Sequence, residues 1–264
     1  MKAEPISVTI ITYNEEAKIA DALRSVQWAD EIIVVDSYST DRTVDICKEY
    51  RATVYSQAFT GFGALKNAAI DRASHDWILS LDADERVTGE LREDINRLQT
   101  SGFDADGYAI PRKNYFLGRW IRYCGWYPDY RSMQLFNRRR GRFTDDLVHE
   151  RLVLRPGGRK AYLKNHIVQY PFLDVSQFLN KNIRYARLRA EEMVRQGRRF
   201  HVHQLITHPV FMFFKMFIVK RGLGDGLMGF MLSMAYAYFV FTKYAWLWEF
   251  DGLRRQGRSV GGEG

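Results

Sequence analysis

Short apolar runs alternate with amphipathic segments over the first third of the chain. The four runs are residues 6–12, 31–36, 52–56 and 77–82. Each is mostly apolar and is bounded by polar residues, which is typical of a buried strand. Apolar residues recur at helical spacing between the runs, for example from about Gly61 to Ala73. This alternation predicts an α/β fold in which helices cover both faces of a mostly parallel sheet.

The first predicted helix follows the strand at residues 6–12. Asn14 is placed to cap its amino end, and Glu15 and Glu16 would then occupy its first turn. Ile19 and Leu23 recur at the spacing of a buried helical face. We therefore expect this helix to begin directly after Asn14.

The pattern changes twice further along the chain. It is irregular over residues 107–169, where "SMQLFN" is a strand candidate, and it turns helical after Tyr170. The last residues are rich in Gly and Arg and lack an apolar pattern, which is typical of a disordered tail. These changes predict a sheet-containing domain at residues 1–170, a helical extension at 171–253 and a disordered tail at 254–264.

Two apolar segments lie in the helical extension. Residues 226–242 carry no charge over seventeen positions, whereas a helix that crosses a bilayer needs ~20 apolar residues. The preceding segment, "LITHPVFMFFKMFIV", is broken by His208, Pro209 and Lys215. Flanking basic residues and abundant aromatic residues favour helices that lie in or on a membrane interface. A buried helical pair or a dimer interface is the alternative, and insertion of 226–242 into the bilayer is left open.

The chain is basic, with 39 Lys and Arg against 31 Asp and Glu and a net charge of +8. This balance predicts an anionic partner, which can be nucleic acid, a lipid surface or a phosphorylated small molecule. Between Arg112 and Arg142, nine basic residues accompany one acid, Asp129. This basic block favours a surface that binds an anionic acceptor or a membrane, with a solvated face as the alternative.

The two cysteines and the amino-terminal segment indicate the cellular compartment of the protein. Cys47 and Cys124 lie far apart without metal-ligand spacing, which is typical of two reduced thiols. The apolar stretch near the amino terminus is too short for a signal peptide and fits the first strand. We therefore expect a cytoplasmic protein.

Acidic residues stand at the ends of two predicted strands. Asp36 and Asp82 each end an apolar run, and Asp84 and Glu85 follow directly after Asp82. Parallel strands bind ligands at their carboxyl ends, so Asp36 and Asp82 are expected in one site. The spacing of Asp82 and Asp84 lets both carboxylates reach one Mg²⁺ or Mn²⁺ ion, which takes further ligands from substrate phosphates. A polar surface turn is the alternative for so short a motif.

Two polar residues follow "GFG" in the helix predicted from about Gly61 to Ala73. Lys66 and Asn67 are placed to bring a positive charge and an amide near a phosphate or a base. Exposed positions on the helix surface are the alternative for both.

Four motifs in order resemble those of family 2 glycosyltransferases with the GT-A fold. They are "SVTIITYNEE", "EIIVVDSYSTDRT", "GFGALKNAAI" and "WILSLDADE". Two later segments, "WYPDYRSMQLFNRRRGRFTDDLVHE" and "KRGLGDGLMGF", resemble the branch of bacterial lipopolysaccharide core β-1,4-glucosyltransferases. The resemblance covers nearly the whole chain, and the first four motifs are specific as an ordered set.

The resemblance implies roles for individual residues. The implied nucleotide-binding residues are Thr12, Tyr13, Glu15, Asp36, Lys66 and Asp82, with Asp36 on the uridine. Asp84 is the implied direct metal ligand, with Asp82 beside it. The motif "DDLVHE" implies Glu150 as the general base, with Asp146 second and Asp145 still open. Relatives often carry a His near "NHIVQY", where this chain has Gln169, so any metal-assisting role of that His is in doubt here.

The resemblance also implies the reaction. The expected enzyme moves a hexose, with glucose favoured, from a UDP-sugar to an anionic, lipid-linked saccharide such as the lipopolysaccharide inner core. A divalent Mg²⁺ or Mn²⁺ ion is its expected cofactor, and the inner face of the cytoplasmic membrane its expected place. From the basic block, Arg122, Arg131 and Arg139 are candidates to contact the acceptor. A homo-oligomer is possible.

Other functions remain as alternatives. A glycosyltransferase for a capsule precursor or another surface polysaccharide would carry the same motifs. A nucleotidyltransferase is disfavoured, because "TYNEE" is acidic where a Gly-rich basic loop is expected. A non-enzymatic binder of nucleic acid or anionic surfaces leaves the acids of "DADE" unexplained, since they would repel a polyanion without a metal. Nucleic acid is therefore not an expected partner.

Overall fold

A computed structural model describes residues 4–130, 133–144 and 150–256. These residues form two compact units. The first unit contains residues up to 114 together with 128–171, and the second contains 115–127 together with the residues from 172 onwards. The segment 115–127 thus belongs to the helical unit, although the sequence pattern assigns it to the sheet-containing domain.

The strands are β1 (Ile6–Thr12), β2 (Glu31–Asp36), β3 (Thr53–Ser56), β4 (Trp77–Asp82), β5 (Glu85–Val87), β6 (Gly107–Ala109), β7 (Arg112–Phe116), β8 (Arg119–Trp120), β9 (Met133–Asn137), β10 (Gly141–Phe143), β11 (Leu152–Leu154), β12 (Lys160–Tyr162) and β13 (Ile167–Gln169). The helices are α1 (Ile19–Ser25), α2 (Thr43–Glu49), α3 (Phe62–Arg72), α4 (Gly89–Ser101), α5 (Val175–Arg195), α6 (Gln204–Phe214) and α7 (Leu227–Arg255). A π-helical segment (Lys215–Val219) continues α6, and a 3₁₀ turn (Gly222–Asp225) precedes α7.

A seven-stranded sheet forms the centre of the first unit, in the order β12-β6-β9-β4-β1-β2-β3. Six of these strands run in one direction, and β9 runs against its neighbours β4 and β6. The chain proceeds from β1 through β2 to β3 and then returns to place β4 on the other side of β1. The predicted α/β fold with a mostly parallel sheet is therefore confirmed. The reversal also creates a switch point between β1 and β4, where such sheets bind ligands.

Alternate side chains of the strands enter two cores on opposite faces of the sheet. Val8 and Leu79 pack in the core that includes α1, α2 and α4. Val35 and Ile78 pack in the core that includes α3. Both faces are thus covered, which explains why the strands are nearly continuous apolar runs rather than alternating ones.

The start of α1 differs from the prediction. The helix begins at Ile19, and Asn14 has a positive φ of 52° instead of acting as its cap. The Asn14 side-chain oxygen accepts a hydrogen bond from the Thr40 backbone N–H at 2.8 Å. Asn tolerates the left-handed conformation and bonds nearby backbone, so here it joins the loops after β1 and β2. The cap prediction is wrong because the bonding partner is 26 residues away in sequence.

The second unit is mainly helical. Its apolar clusters bring Phe116, Cys124 and Phe178 together with Leu232, and residues of α5 together with residues of α7. Helix α7 continues to Arg255, into the segment whose sequence is typical of a disordered tail, while residues 257–264 lie outside the described residues. Among the helices described, none combines the length and apolar character that a membrane crossing requires.

Candidate active site

The carboxyl ends of β1, β2 and β4 meet at one edge of the sheet. Thr12 is in register with Asp36, and Ile11 is in register with Asp82. The strand ends with acidic residues therefore lie on either side of β1, next to the switch point. This agrees with the sequence-based expectation that Asp36 and Asp82 share an edge.

The three acids of "DADE" each have a different partner. Asp82 pairs with Lys66 of α3 at 2.9 Å. Asp84 accepts hydrogen bonds from the Gln169 side-chain amide at 3.1 and 3.3 Å. Glu85 is 1% exposed and pairs with Arg112 at 2.7 Å. The crowding of like charges after β4 is thus tolerated because the side chains diverge to a cation, an amide and a second cation.

Glu85 belongs to the scaffold of the site. One of its carboxylate oxygens accepts the Asp82 backbone N–H at 3.0 Å, while the other faces Arg112 of β7. Burial raises the pKa of Glu85, and Arg112 opposes this shift. Loss of either partner would leave a buried unpaired charge, so this pair fixes the turn that carries Asp82 and Asp84.

Lys66 links the two halves of the site. Its ammonium nitrogen lies 2.9 Å from a carboxylate oxygen of Asp82 and 2.9 Å from one of Glu150. Burial alone would lower the pKa of Lys66, but the two carboxylates outweigh this effect and raise it. Lys66 is therefore charged and holds Glu150 beside the acidic strand end. The structure brings together three of the predicted site residues through this one side chain.

Helix α3 also positions the segment that leads to Glu150. The Asn67 amide donates to the Phe143 carbonyl at 2.9 Å, and its oxygen accepts the Phe143 N–H at 3.1 Å. The Thr144 backbone N–H donates to the Arg151 carbonyl at 2.9 Å, so Thr144 lies next to the residue that follows Glu150. The idea that Asn67 faces a phosphate or a base is wrong, because both ends of its amide are used by a neighbouring strand.

Gly63 of the "GFG" motif lies where this segment approaches α3 most closely. A Cβ atom at Gly63 would meet the Thr144 carbonyl oxygen at 1.8 Å. We expect Gly63→Ala to lower the free energy of unfolding by about 1–3 kcal/mol, because backbone rather than a flexible side chain must move. Denaturant melts would measure this change.

Gly89 offers a matched control for that substitution. It starts α4, and a Cβ atom there would meet nothing within 4 Å. Gly89→Ala should leave stability unchanged or raise it by about 0.4–1 kcal/mol. Equal destabilisation by both substitutions would contradict the close packing of α3 against Thr144.

The predicted nucleotide residues differ in accessibility. Tyr13 is 58% exposed, while Thr12 is buried, and within the described residues its hydroxyl has no hydrogen-bond partner. Asp36 is buried and accepts hydrogen bonds from the backbone N–H and the hydroxyl of Ser39. Any contact of Asp36 with a nucleoside therefore requires Ser39 to move or to share the carboxylate.

Lys18 is a site residue that the sequence analysis missed. It is 5% exposed and pairs with Glu15 at 3.0 Å. Its charge also acts to lower the pKa of Asp84. A lysine in the sequence "NEEAKI" looks like an exposed helical residue, and only the folded chain shows that it is buried near the acids.

The donor atoms around Asp84 fit a hard divalent cation. Burial raises the pKa of Asp84, the nearby Asp82 raises it further, and the Gln169 amide opposes the rise. A bound cation would relieve this repulsion, and Mg²⁺ or Mn²⁺ can be held by one or two carboxylates together with substrate phosphates. In the described part of the chain, no group of three or more His, Cys, Asp and Glu side chains is arranged around a metal position. The residues present thus fit a cation that takes one or two ligands from the protein and the others from a substrate.

Gln169 provides a test of this fit. Gln169→Leu removes the hydrogen bonds to Asp84, so the pKa of Asp84 should rise and protons should compete more strongly with the cation. We expect about tenfold weaker Mn²⁺ binding, as for other groups that support metal ligands, with a larger loss at pH 6 than at pH 8. Titration of Mn²⁺ in the presence of nucleotide would measure this.

The control for that experiment is Gln196→Leu, at an exposed position after α5. Its Mn²⁺ affinity should equal that of the unsubstituted protein. A Gln169→Leu variant with unchanged affinity at both pH values would show that Gln169 does not support the cation site.

The structure does not bring Arg139 to the site. Arg139 pairs with Asp76 at 2.8 Å, next to the first residue of β4, whereas Asp82 is the last residue of that strand. Arg140 pairs with Asp106, and Arg142 pairs with Asp71. Much of the basic block is therefore matched by acids of the same unit, which a count along the sequence could not show.

The four remaining predicted site residues lie in the second unit or outside the described residues. Arg122 lies in the second unit, where its backbone N–H donates to Asp225 and its guanidinium lies over the Trp120 ring. Arg131, Asp145 and Asp146 lie outside the described residues. Their roles stay predictions.

A mostly parallel sheet with two carboxylates after β4 is the arrangement expected of a GT-A glycosyltransferase. The family described as "Glycosyl transferase family 2" matches residues 7–166, which is more than half of the chain. The protein therefore belongs to glycosyl transferase family 2.

Relatives agree with this assignment over nearly the full length. An uncharacterized glycosyltransferase of Rickettsia typhi is 33% identical over 258 residues, which cover 92% of this chain and 87% of that protein. The lipopolysaccharide core biosynthesis glycosyltransferase LpsC of Rhizobium meliloti is 29% identical over 261 residues, covering 95% and 94%. The mannosyltransferase PcManGT from Pyrobaculum calidifontis, solved with GDP-Man and Mn²⁺, has a TM-score of 0.52 at 15% identity, covering 93% of this chain and 88% of that one. The last likeness concerns the fold alone.

Proposed function

We propose that this protein is an inverting, metal-dependent glycosyltransferase that moves a hexose, with glucose favoured, from a UDP-sugar to a lipid-linked saccharide. The observation that carries the proposal is the Lys66 bridge between Asp82 and Glu150. In this proposal Lys66 holds Glu150, the base on the acceptor side, beside the carboxylate of Asp82 on the donor side. A family 2 enzyme needs both groups within reach of one anomeric carbon.

Each group has a separate task in this proposal. Asp84, with Asp82, would hold Mg²⁺ or Mn²⁺, and the bound ion would neutralise charge on the departing diphosphate as a Lewis acid. Glu150 accepts the proton of the acceptor hydroxyl as that oxygen attacks the anomeric carbon. Attack opposite the leaving group inverts the configuration, so an α-linked donor gives a β-linked product.

Lys66 keeps Glu150 oriented for that proton transfer. Two ion pairs at 2.9 Å hold its ammonium group, and its side chain is 10% exposed. Because the Lys66 ammonium group lies between the two carboxylates, it holds Glu150 close to Asp82 before any substrate arrives. Such pre-positioning is a general source of rate enhancement.

The acceptor part of the proposal draws on the relatives. LpsC is named for lipopolysaccharide core biosynthesis and matches almost end to end, which supports a saccharide of the lipopolysaccharide inner core as acceptor. The precursor of a capsule or another surface polysaccharide remains the alternative acceptor. An acceptor of either kind would place the enzyme peripherally on the inner face of the cytoplasmic membrane.

The donor must be tested directly, because PcManGT was solved with GDP-Man. The experiment incubates the purified protein with labelled UDP-glucose, UDP-galactose or GDP-mannose, with or without Mn²⁺, and with either truncated lipopolysaccharide or a capsule precursor as acceptor. Label should move to the glycolipid from UDP-glucose in a metal-dependent manner. Transfer from GDP-mannose alone would contradict a UDP-sugar as the donor. Transfer only to a capsule precursor would contradict the lipopolysaccharide inner core as the acceptor.

A further inference from the structure

The second unit exposes an apolar face made by two helices. Helix α6 contributes Ile206, Val210 and Phe214, and helix α7 contributes Leu227, Met234 and Phe241. Each of these six side chains is between 44% and 68% exposed. Their spacings of four residues in α6 and seven in α7 place each set along one side of its helix. We call these six residues the apolar face.

This face is separate from the apolar core of the same unit. Val240 and Leu247 of α7 are buried and cluster with Ala190 and Met193 of α5. Helix α7 is therefore apolar on two sides, and α5 covers only one of them. A helix that packs on one side alone would carry polar residues on the other.

The two helices present the face side by side. The Phe213 ring lies 5.8 Å from the Phe230 ring, and the Phe217 ring lies 6.0 Å from it. From Leu227 to Phe241 the helix rises about 21 Å, and from Ile206 to Phe214 about 12 Å. The two helices are thus packed against each other, and each carries a row of exposed apolar side chains.

The turn before α7 is rigidly built. A Cβ atom on Gly229 would meet the Gly222 carbonyl oxygen at 1.8 Å, and one on Gly224 would meet the Tyr123 ring at 2.5 Å. Asp225 accepts the backbone N–H groups of Arg122 and Tyr123. The motif "GLGDGLMG" is thus packed too tightly for side chains at Gly224 and Gly229. It carries the exposed Leu223 between α6 and α7.

The charged residues around the face are mostly basic. Residues 198–242 contain five Lys and Arg and a single acid, Asp225. The five basic residues are all exposed: Arg198, Arg199, Lys215, Lys220 and Arg221. With Asp225 counted against the five basic residues, the segment 198–242 keeps a net charge of +4.

We propose that the apolar face inserts into the surface of a bilayer that contains anionic lipids, with α6 and α7 lying parallel to the membrane plane. Apolar residues on one side and exposed Lys and Arg beside them are the two features that interfacial helices use. The proposal deepens the proposed action on a lipid-linked acceptor by naming the surface that meets the lipid.

A second copy of the chain fits this face less well. A symmetric dimer brings the same patch of both copies together, so Lys215, Lys220 and Arg221 would face or flank their own counterparts. An anionic lipid surface instead pairs with these charges and accepts the apolar side chains. Charge complementarity therefore favours the bilayer.

The test measures binding to vesicles of phosphatidylcholine, with and without phosphatidylglycerol, by co-sedimentation. The full chain should bind the anionic vesicles more tightly than the neutral ones. Combining Phe214→Ser with Leu227→Ser should weaken binding to both by about 100-fold, because each apolar side chain contributes about tenfold. Combining Lys220→Gln with Arg221→Gln should weaken binding to anionic vesicles alone, by about fivefold for each charge.

The matched control combines Leu173→Ser with Leu188→Ser, two exposed leucines of the same unit outside the face. This variant should bind like the unsubstituted chain. The proposal would be overturned if the Phe214→Ser/Leu227→Ser variant bound vesicles as tightly as the unsubstituted chain. It would also be overturned if the unsubstituted chain formed a dimer without lipid and these two substitutions dissociated that dimer. Nucleotide-induced stabilisation, measured on the same variants, reports on the proposed function separately, since vesicle binding does not require a nucleotide site.

Discussion

Asp84→Asn is expected to lower kcat/KM for sugar transfer by about 10³-fold or more. The substitution removes the carboxylate that we propose holds the metal, and metal stabilisation of a leaving group is worth several kcal/mol. The fold should survive without loss, because Asp84 has a raised pKa from burial and from Asp82. A neutral Asn removes that repulsion, so the melting temperature of the ligand-free protein should stay the same or rise. Steady-state kinetics and melting curves would measure both effects.

The control is Asp45→Asn, on the exposed side of α2. The kinetics of Asp45→Asn should match those of the unsubstituted enzyme. For Asp84→Asn, excess Mn²⁺ should not restore full activity. Full activity of Asp84→Asn without added metal would contradict the metal role of the carboxylate pair.

Glu150→Gln is expected to lower kcat by about 10²- to 10⁴-fold, the usual contribution of a general base. Glutamine keeps the shape of the side chain and can still accept a hydrogen bond from Lys66, so its position beside Lys66 should be kept. The KM for the donor should change little, because the donor side of the site is untouched. Kinetics with both substrates varied would separate these effects.

Two comparisons make the Glu150 result decisive. Glu90→Gln, at an exposed position of α4, should leave kcat unchanged. Asp146→Asn tests the second candidate base from the sequence. Full activity of Glu150→Gln together with a large loss in Asp146→Asn would transfer the role of base to Asp146.

Much of the sheet and part of the site follow from local patterns in the sequence. The strands β1, β2 and β4 are continuous apolar runs because both of their faces are buried, so their ends could be read directly. Since these ends carry Asp36 and Asp82, the shared edge was also predictable. The bounds of β1, β2 and β4 agree with the runs at 6–12, 31–36 and 77–82.

The partners within the site could not be read from the sequence. Glu85 pairs with Arg112, 27 residues further on, and Lys66 pairs with Glu150, 84 residues further on. No local pattern encodes which acid meets which cation, because that choice depends on strand order and on burial. Asn14 and Asn67 were misplaced for the same reason, since each bonds to the backbone of a distant loop or strand.

The three acids of "DADE" therefore have two different roles. Glu85 is held by Arg112 inside the protein and shapes the turn. Asp82 and Asp84 remain at the sheet edge, where Lys66 and Gln169 contact them. A motif of three acids thus divides into one structural residue and two residues of the proposed metal site.

The most direct test of the account is the melting temperature with UDP, GDP, CDP and dTDP, each with and without Mn²⁺, for the unsubstituted protein and Asp84→Asn. A ligand at 100 times its Kd adds about 2.7 kcal/mol of stability, which is a readily measured shift. We predict a rise with UDP that requires Mn²⁺ and is lost in Asp84→Asn. If no nucleotide shifts the melt under any metal condition, or if Asp84→Asn keeps the full shift, Asp82 and Asp84 do not form the metal–nucleotide site.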